Sequence, residues 1–173
     1  MEQCITFKTG AGWIGISGSA KGLRRATLPQ PSAPEAFRLL KAEGAVWCPN
    51  IFENLVQRLR AYFGGYRVTF PDRLDLSGAT SFQRRVWETT RLIPYGSTRD
   101  YLWVAEQIGT PRAARAVGQA LAQNPLPVIV PCHRILTSNG SLGGYSGGTE
   151  TKRWLLSLEA APIPHLLVEV GAG

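Results

Sequence analysis

The chain has 173 residues, 44% hydrophobic and 18% charged, with a net charge of +7. This suits one ordinary globular domain or two small ones, and no apolar run approaches the ~20 residues that span a bilayer. Three widely spaced cysteines (Cys4, Cys48, Cys132), two histidines and no Cys-x-x-Cys argue against a disulfide framework or a Cys/His zinc site, and no secretory signal is expected from Met1-Glu-Gln-Cys-Ile, which has no basic segment followed by a long apolar one. A reducing, cytoplasmic setting is expected.

Residues 4–8 and 13–17 read as two strands around the turn Gly10-Ala11-Gly12, and a third run, 23–28, ends at Pro29. The Pro-rich stretch 29–34 reads as a loop. Asn50-x-x-Glu53 has capping-box form, and Phe52, Leu55, Val56, Leu59 and Phe63 follow on one helical face until Gly64-Gly65 stops the helix. Residues 66–70 alternate like a strand that Pro71 ends. The first half thus reads as a small sheet with one or two helices and no chemical constellation. Cys4 and Cys48 read as packing residues, and 71–78 is the expected boundary between halves.

Thr80-x-x-Gln83 is a capping box, with Phe82, Val86 and Ile93 at helical spacing behind it. Tyr101 to Ile108 has a helical pattern. Gly109 fits its C-cap, Thr110 an N-cap and Pro111 the first position of a second helix, expected over 112–123. Helix, short Gly-containing turn and helix make a helix-turn-helix signature. The second helix is slender, with Ala113, Ala114, Ala116, Gly118, Ala120 and Ala122, and Arg112 and Arg115 sit three apart. It reads either as a helix laid into a DNA groove or as one packed closely on a neighbour. Tyr101 reads as half-buried packing or as a proton donor or phosphate contact. No acidic residue occurs over 107–149, while Arg112, Arg115 and Arg134 do, so a polyanion could approach that stretch.

The apolar run 128–130 reads as a short buried strand delivering Pro131-Cys132-His133-Arg134. A buried cysteine is ordinarily an inert hydrophobe. Thiol, imidazole and guanidinium in succession, however, form a composition expected to favour the thiolate, which is the nucleophile. The loop Gly143-Gly144-Tyr145-Ser146-Gly147-Gly148 lacks both phosphate-loop spacings, so no nucleotide cofactor is expected. It reads instead as backbone lying near a flat ligand, with Tyr145 stacking. The last helix is expected over 150–158, burying Trp154, Leu155 and Leu158. Glu159 after it would ordinarily be a surface residue, or could orient His133 if it faced that ring. His165, among prolines, reads as surface.

Together Asn124-Pro-x-Pro before Pro131-Cys132-His133-Arg134, the Ala-Ala-Arg115-Ala-Val-Gly helix, and Tyr145-Ser146-Gly-Gly before Lys152-x-Trp154-Leu-Leu resemble the O6-alkylguanine-DNA alkyltransferase family. The likeness runs from about Phe82 to Glu159 and is much weaker before residue 75. It implies a two-domain α+β fold within the α/β class. Residues 1–76 would form a ribonuclease-H-like sheet domain, and 77–173 a mainly helical domain with a winged helix-turn-helix that binds DNA and takes the alkyl group. It implies that Cys132 accepts the alkyl group, His133 removes its proton through a water, Glu159 polarises His133, Tyr101 turns the phosphate and protonates the leaving guanine, and Asn124 buttresses the site. Arg115 would fill the gap left by the flipped nucleotide. Ala114, Gly118, Arg112 and Tyr101 would face DNA, and Tyr145, Ser146, Gly147, Pro127 and Val128 would hold the base.

The implied partner is double-stranded DNA containing O6-alkylguanine, with O4-alkylthymine a second candidate. No membrane is implied, and the protein would be a monomer. Some family members hold zinc in the first domain. Here only Cys4 suits, so neither a metal nor any other cofactor is expected. One turnover per molecule is expected, because nothing in such a site cleaves the thioether product. Two rival readings are a Cys-His hydrolase and a winged helix-turn-helix regulator with an inert cysteine.

Overall fold

The computed structural model describes residues 1–160, so the expectation for His165 lies outside the described residues. The chain divides into two compact units, Met1–Gly78 with Pro125–Ile129, and Ala79–Asn124 with the chain from Val130 on. Both contain helix and strand, a mixed α+β architecture with six α-helices among the described residues.

In the first unit β1 (Gln3–Thr9) and β2 (Gly12–Ser19) form an antiparallel hairpin in which Ile5 faces Ile16 and Phe7 faces Ile14. Strand β3 (Gly22–Ala26) extends it antiparallel to β2, and the two-residue β4 (Val46–Trp47) lies parallel to β1, giving the order β3-β2-β1-β4. Ile5, Phe7, Ile14 and Ile16 are buried, and so are Leu55, Leu59 and Tyr62 of α2 (Glu53–Phe63). The segment from the second half joins this unit by backbone pairing, the Ala26 N–H donating to the Pro125 carbonyl at 3.0 Å.

Three expectations for this half fail. The Pro-rich loop gives way to a helix, α1 (Ala33–Leu40), whose N-cap Ser32 accepts from Glu35 N–H and which carries proline at its start. The Asn50 capping box does not form. Helix α2 begins after Phe52, whose φ of 53° turns the chain with no side-chain cap. Residues 66–70 pair with no strand, because alternation yields a strand only where a neighbour supplies ladder partners.

In the second unit α3 (Ser81–Thr90) starts with the expected capping box. Thr80 Oγ1 accepts from Gln83 N–H, and the Gln83 side chain accepts from Thr80 N–H, both at 3.0 Å. Helices α4 (Tyr101–Gln107) and α5 (Ala114–Ala122) follow as helix, turn and helix. Helix α5 starts two residues later than its sequence signals suggest. Thr110 does not cap it, and its carbonyl instead accepts from Ala113 N–H in a turn, which leaves Arg112 outside the helix. Trp87 of α3 donates from Nε1 to the Ala120 carbonyl at 2.9 Å, locking α3 to α5. Helix α6 (Thr149–Leu158) closes the unit. Its buried residues are Lys152, Leu155 and Leu156, while the expected Trp154 is exposed.

The run 128–130 is not a strand. Val128 takes a φ of 74°, a left-handed conformation that a β-branched residue adopts only under tertiary constraint, and the chain turns there. Cys132–Arg134 then form one 3₁₀ turn, and β6 (Ile135–Leu136) pairs in parallel with β5 (Arg99–Asp100).

Candidate functional site

The 3₁₀ turn sets the geometry of the site. Cys132 lies against a cleft of about 650 Å³ lined also by Tyr101, Arg115, Gly118 and Tyr145. Its side chain is sheltered, at 6% exposure. Asn124, just past the end of α5, spans the turn: its Nδ2 donates to the Val130 carbonyl at 2.9 Å and to Cys132 Sγ at 3.1 Å. Helix α5 gives the cleft its slender face. Ala114, Gly118 and Ala122, each four residues from the next, line it, while Val117, Ala120 and Leu121 are buried. Arg115 is exposed and lines the cleft. Across from α5 stand Thr137, Ser138 and the loop residues Gly144, Tyr145 and Ser146.

Behind the nucleophile lies a buried ionic knot. His133 is fully buried, and its Nε2 sits 2.7 Å from Glu159 Oε2. Arg134 donates to the same carboxylate from Nε at 2.8 Å and Nη2 at 3.0 Å, and from Nη1 to the Ile93 carbonyl at 2.8 Å. Gly96 N–H adds a 3.4 Å contact to Oε1. Glu159 is therefore 3% exposed rather than a surface residue. Burial pushes its pKa up, but the hydrogen bonds and charges of His133 and Arg134 outweigh that and hold it at about 2. The carboxylate can only accept, so His133 carries its proton on Nε2. Burial above all lowers the ring's pKa despite Glu159, and the resting imidazole is neutral. Its basic nitrogen is consequently Nδ1.

The expected thiolate does not follow from the neighbouring residues. Burial is the largest influence on Cys132 and raises its pKa, while Asn124 and Lys152 pull it down. The guanidinium of Arg134 is committed to Glu159, and the imidazole next to the cysteine is uncharged, so neither offsets the desolvation. The resting group is a thiol with a base available for its deprotonation. Burial likewise raises Tyr101, and the nearby sulfur adds to the effect, so the phenol keeps its proton as an acid should. Tyr145 is raised well above the ordinary phenol range, again chiefly by burial.

Of the other residues singled out in the sequence, Arg112 is exposed in the turn before α5, beside Thr110, Pro111 and Ala113. Gly147 is exposed on the loop past Ser146. Pro127 and Val128 lie in the 125–129 segment, which belongs to the first unit. Lys152 stands out in the sequence only within the Lys152-x-Trp154-Leu-Leu motif, yet it is fully buried and donates from Nζ to the Ile135 carbonyl at 2.6 Å. Nothing local in the sequence marks a lysine on α6 as buried, since that depends on partners 8 and 17 residues away.

A family profile described as 6-O-methylguanine DNA methyltransferase, DNA binding domain, matches residues 81–161. The methylated-DNA–protein-cysteine methyltransferase of Mycolicibacterium paratuberculosis is 50% identical over 119 residues, which is 69% of this chain and 72% of that protein. The constitutive enzyme of that name from Bacillus subtilis is 47% identical over 112 residues, 64% of this chain and 67% of that one. Among solved structures, Mycobacterium tuberculosis OGT in complex with DNA matches with a TM-score of 0.78 at 41% identity, covering 92% of this chain and 95% of that one. The chain belongs to the methylated-DNA–protein-cysteine methyltransferase family, and the enzyme class expected from the sequence is that of its relatives.

Proposed function

We propose that the protein repairs DNA by moving the alkyl group of O6-alkylguanine in a duplex onto Cys132, once per molecule. The observation that carries this reading is a cleft-lining thiol next in the chain to a neutral imidazole, which is held in one tautomer by a buried carboxylate 2.7 Å away. The relatives named for this activity, and the relative crystallised with DNA, support it. In this reading the first unit is a ribonuclease-H-like domain, and the second carries a winged helix-turn-helix in which α5 enters the minor groove. The domains follow the division 1–76 and 77–173, except that 125–129 belongs with the first. The protein acts as a monomer in the cytoplasm, where thiols stay reduced. It needs no metal or other cofactor, and O4-alkylthymine is a second substrate.

A base stacked in a duplex is out of reach of a sheltered sulfur, so the nucleotide must be extruded, at a cost on the order of a few kcal/mol. The alanine and glycine face of α5 lets the helix approach closely, and Arg115 enters the stack in place of the lost base. Ala114, Gly118, Arg112 and Tyr101 face the DNA. Tyr145, Ser146 and Gly147 hold the extruded base.

The thiol proton passes through a water to Nδ1 of His133, and Glu159 stabilises the imidazolium. The sulfur attacks the alkyl carbon, forming S–C as C–O6 breaks. Guanine leaves with a proton taken from Tyr101, and the proton held on His133 restores the phenol, so the net transfer of hydrogen is from thiol to guanine. Asn124 steadies the charge on sulfur through its 3.1 Å contact.

Incubation with an oligonucleotide carrying O6-methylguanine, followed by intact mass measurement, tests the proposal. One methyl per protein on Cys132 is expected, with none in Cys132→Ala. Repeated turnover, or binding without mass gain, overturns it.

A further inference from the structure

Lys152 has no task in that scheme, although it is 0% exposed beside the nucleophile. Its Nζ donates to the Ile135 carbonyl at 2.6 Å and to the Gly144 carbonyl at 3.2 Å. Ile135 opens the strand that leaves the Cys132 turn, and Gly144 precedes Tyr145 on the loop lining the cleft. The ammonium also lies 6.0 Å from the centre of the Tyr101 ring. One cation therefore fastens the backbone behind the nucleophile to the rim of the cleft, beneath the tyrosine.

No carboxylate among the described residues lies within ion-pair distance of it. Burying an ammonium without a counter-ion is costly, and a hydrophobic side chain of similar volume would avoid that cost. A charge kept under those terms suits an anion that exists only during reaction. The titratable groups that feel it are Cys132 and His133 on the turn, both of which it pulls down, and the thiolate of Cys132 raises the lysine in return. Burial is the stronger influence and holds Lys152 at about 8.

We propose that Lys152 is a positioning residue of the alkyl-transfer site: its ammonium ties the 143–148 loop to the strand after Cys132 and supplies the positive charge that stabilises the thiolate as it forms. This rests on the alkyl-transfer reading, and the test keeps the two apart. Lys152→Gln keeps hydrogen-bond donors without the charge, and Lys152→Met removes both. The rate at which iodoacetamide alkylates Cys132 is followed across pH by peptide mass, with Cys4 and Cys48 as internal references and thermal melts to establish folding.

Both variants are expected to shift the Cys132 profile up by about one pH unit and to slow it about tenfold at neutral pH. Lys152→Gln should retain more of the rate with free O6-benzylguanine than Lys152→Met. Folded variants with the wild-type profile overturn the proposal. If neither variant folds, ¹³C-lysine NMR of the wild type decides: S-methylation of Cys132 by iodomethane should lower the midpoint of Lys152 titration, and an unchanged midpoint overturns the proposal. Wild-type protein that takes no methyl from DNA would sink the repair reading while leaving the effect of Lys152 on the sulfur measurable.

Discussion

Replacing Glu159 by Gln removes the one anion in a buried cluster that holds the Arg134 guanidinium at 2.8 and 3.0 Å and the His133 ring at 2.7 Å. Two routes give the size of the effect. The carboxyl shifts from an ordinary 4.5 to about 2, which at 1.36 kcal/mol per unit is roughly 3 kcal/mol of linkage. Stranding a buried cation by deleting its partner costs about 3–5 kcal/mol. Urea denaturation at pH 7 should therefore show Glu159→Gln less stable by about 3 kcal/mol, with an unchanged slope. Because the native pKa lies below the unfolded one, the contribution is full above about 4.5 and is lost as the pH falls through about 2. The deficit of the variant should accordingly narrow between pH 5 and pH 2. A deficit under about 1 kcal/mol at pH 7, or one that does not change with pH, would refute the view that this carboxylate is the anchor of the site.

Asn124→Ala takes away the donor to both Cys132 Sγ and the Val130 carbonyl. Methyl transfer should slow about tenfold, with a higher apparent pKa for the thiol, as read from single-turnover rates across pH. Gly143→Ala places a Cβ 3.1 Å from Thr137 Cγ2 and 3.2 Å from the Tyr101 hydroxyl, at a φ of 71°. It should cost about 1–2 kcal/mol in denaturation and slow methyl transfer by moving that hydroxyl. Thr80→Ala breaks the α3 capping box and should cost about 1 kcal/mol while sparing the transfer rate. Arg115→Ala should slow repair of duplex DNA far more than reaction with free O6-benzylguanine, and equal slowing would count against insertion into the stack.

What could be read from the sequence was what is decided locally. The α3 capping box is complete within four residues and formed as expected. The motif around Cys132 likewise puts thiol and imidazole side by side, whereas Glu159, 26 residues further on, reads as surface until the family resemblance assigns it a role. Ser32, Pro34 and Glu35 were equally local signals for α1, but they are masked by the prolines around them. Readings that depend on a remote partner failed: residues 66–70 alternate yet find no neighbouring strand, and Val128 is β-branched yet is bent into a turn. Electrostatics were the least legible. Three adjacent residues suggested a thiolate, whereas the fold sends the guanidinium to Glu159 and lets burial set the thiol. Lys152 stayed hidden for the same reason, since its burial is a property of Ile135 and Gly144 as much as of α6.

The membership of 125–129 in the first unit bears on how the chain is made. A ribosome that has released residues 1–78 has not yet delivered the carbonyl of Pro125 that Ala26 requires, nor the buried side chains of Leu126, Val128 and Ile129. The amino-terminal unit therefore stays unfinished until some fifty further residues have emerged. A gene cut between the halves would encode an incomplete fragment rather than a free-standing module.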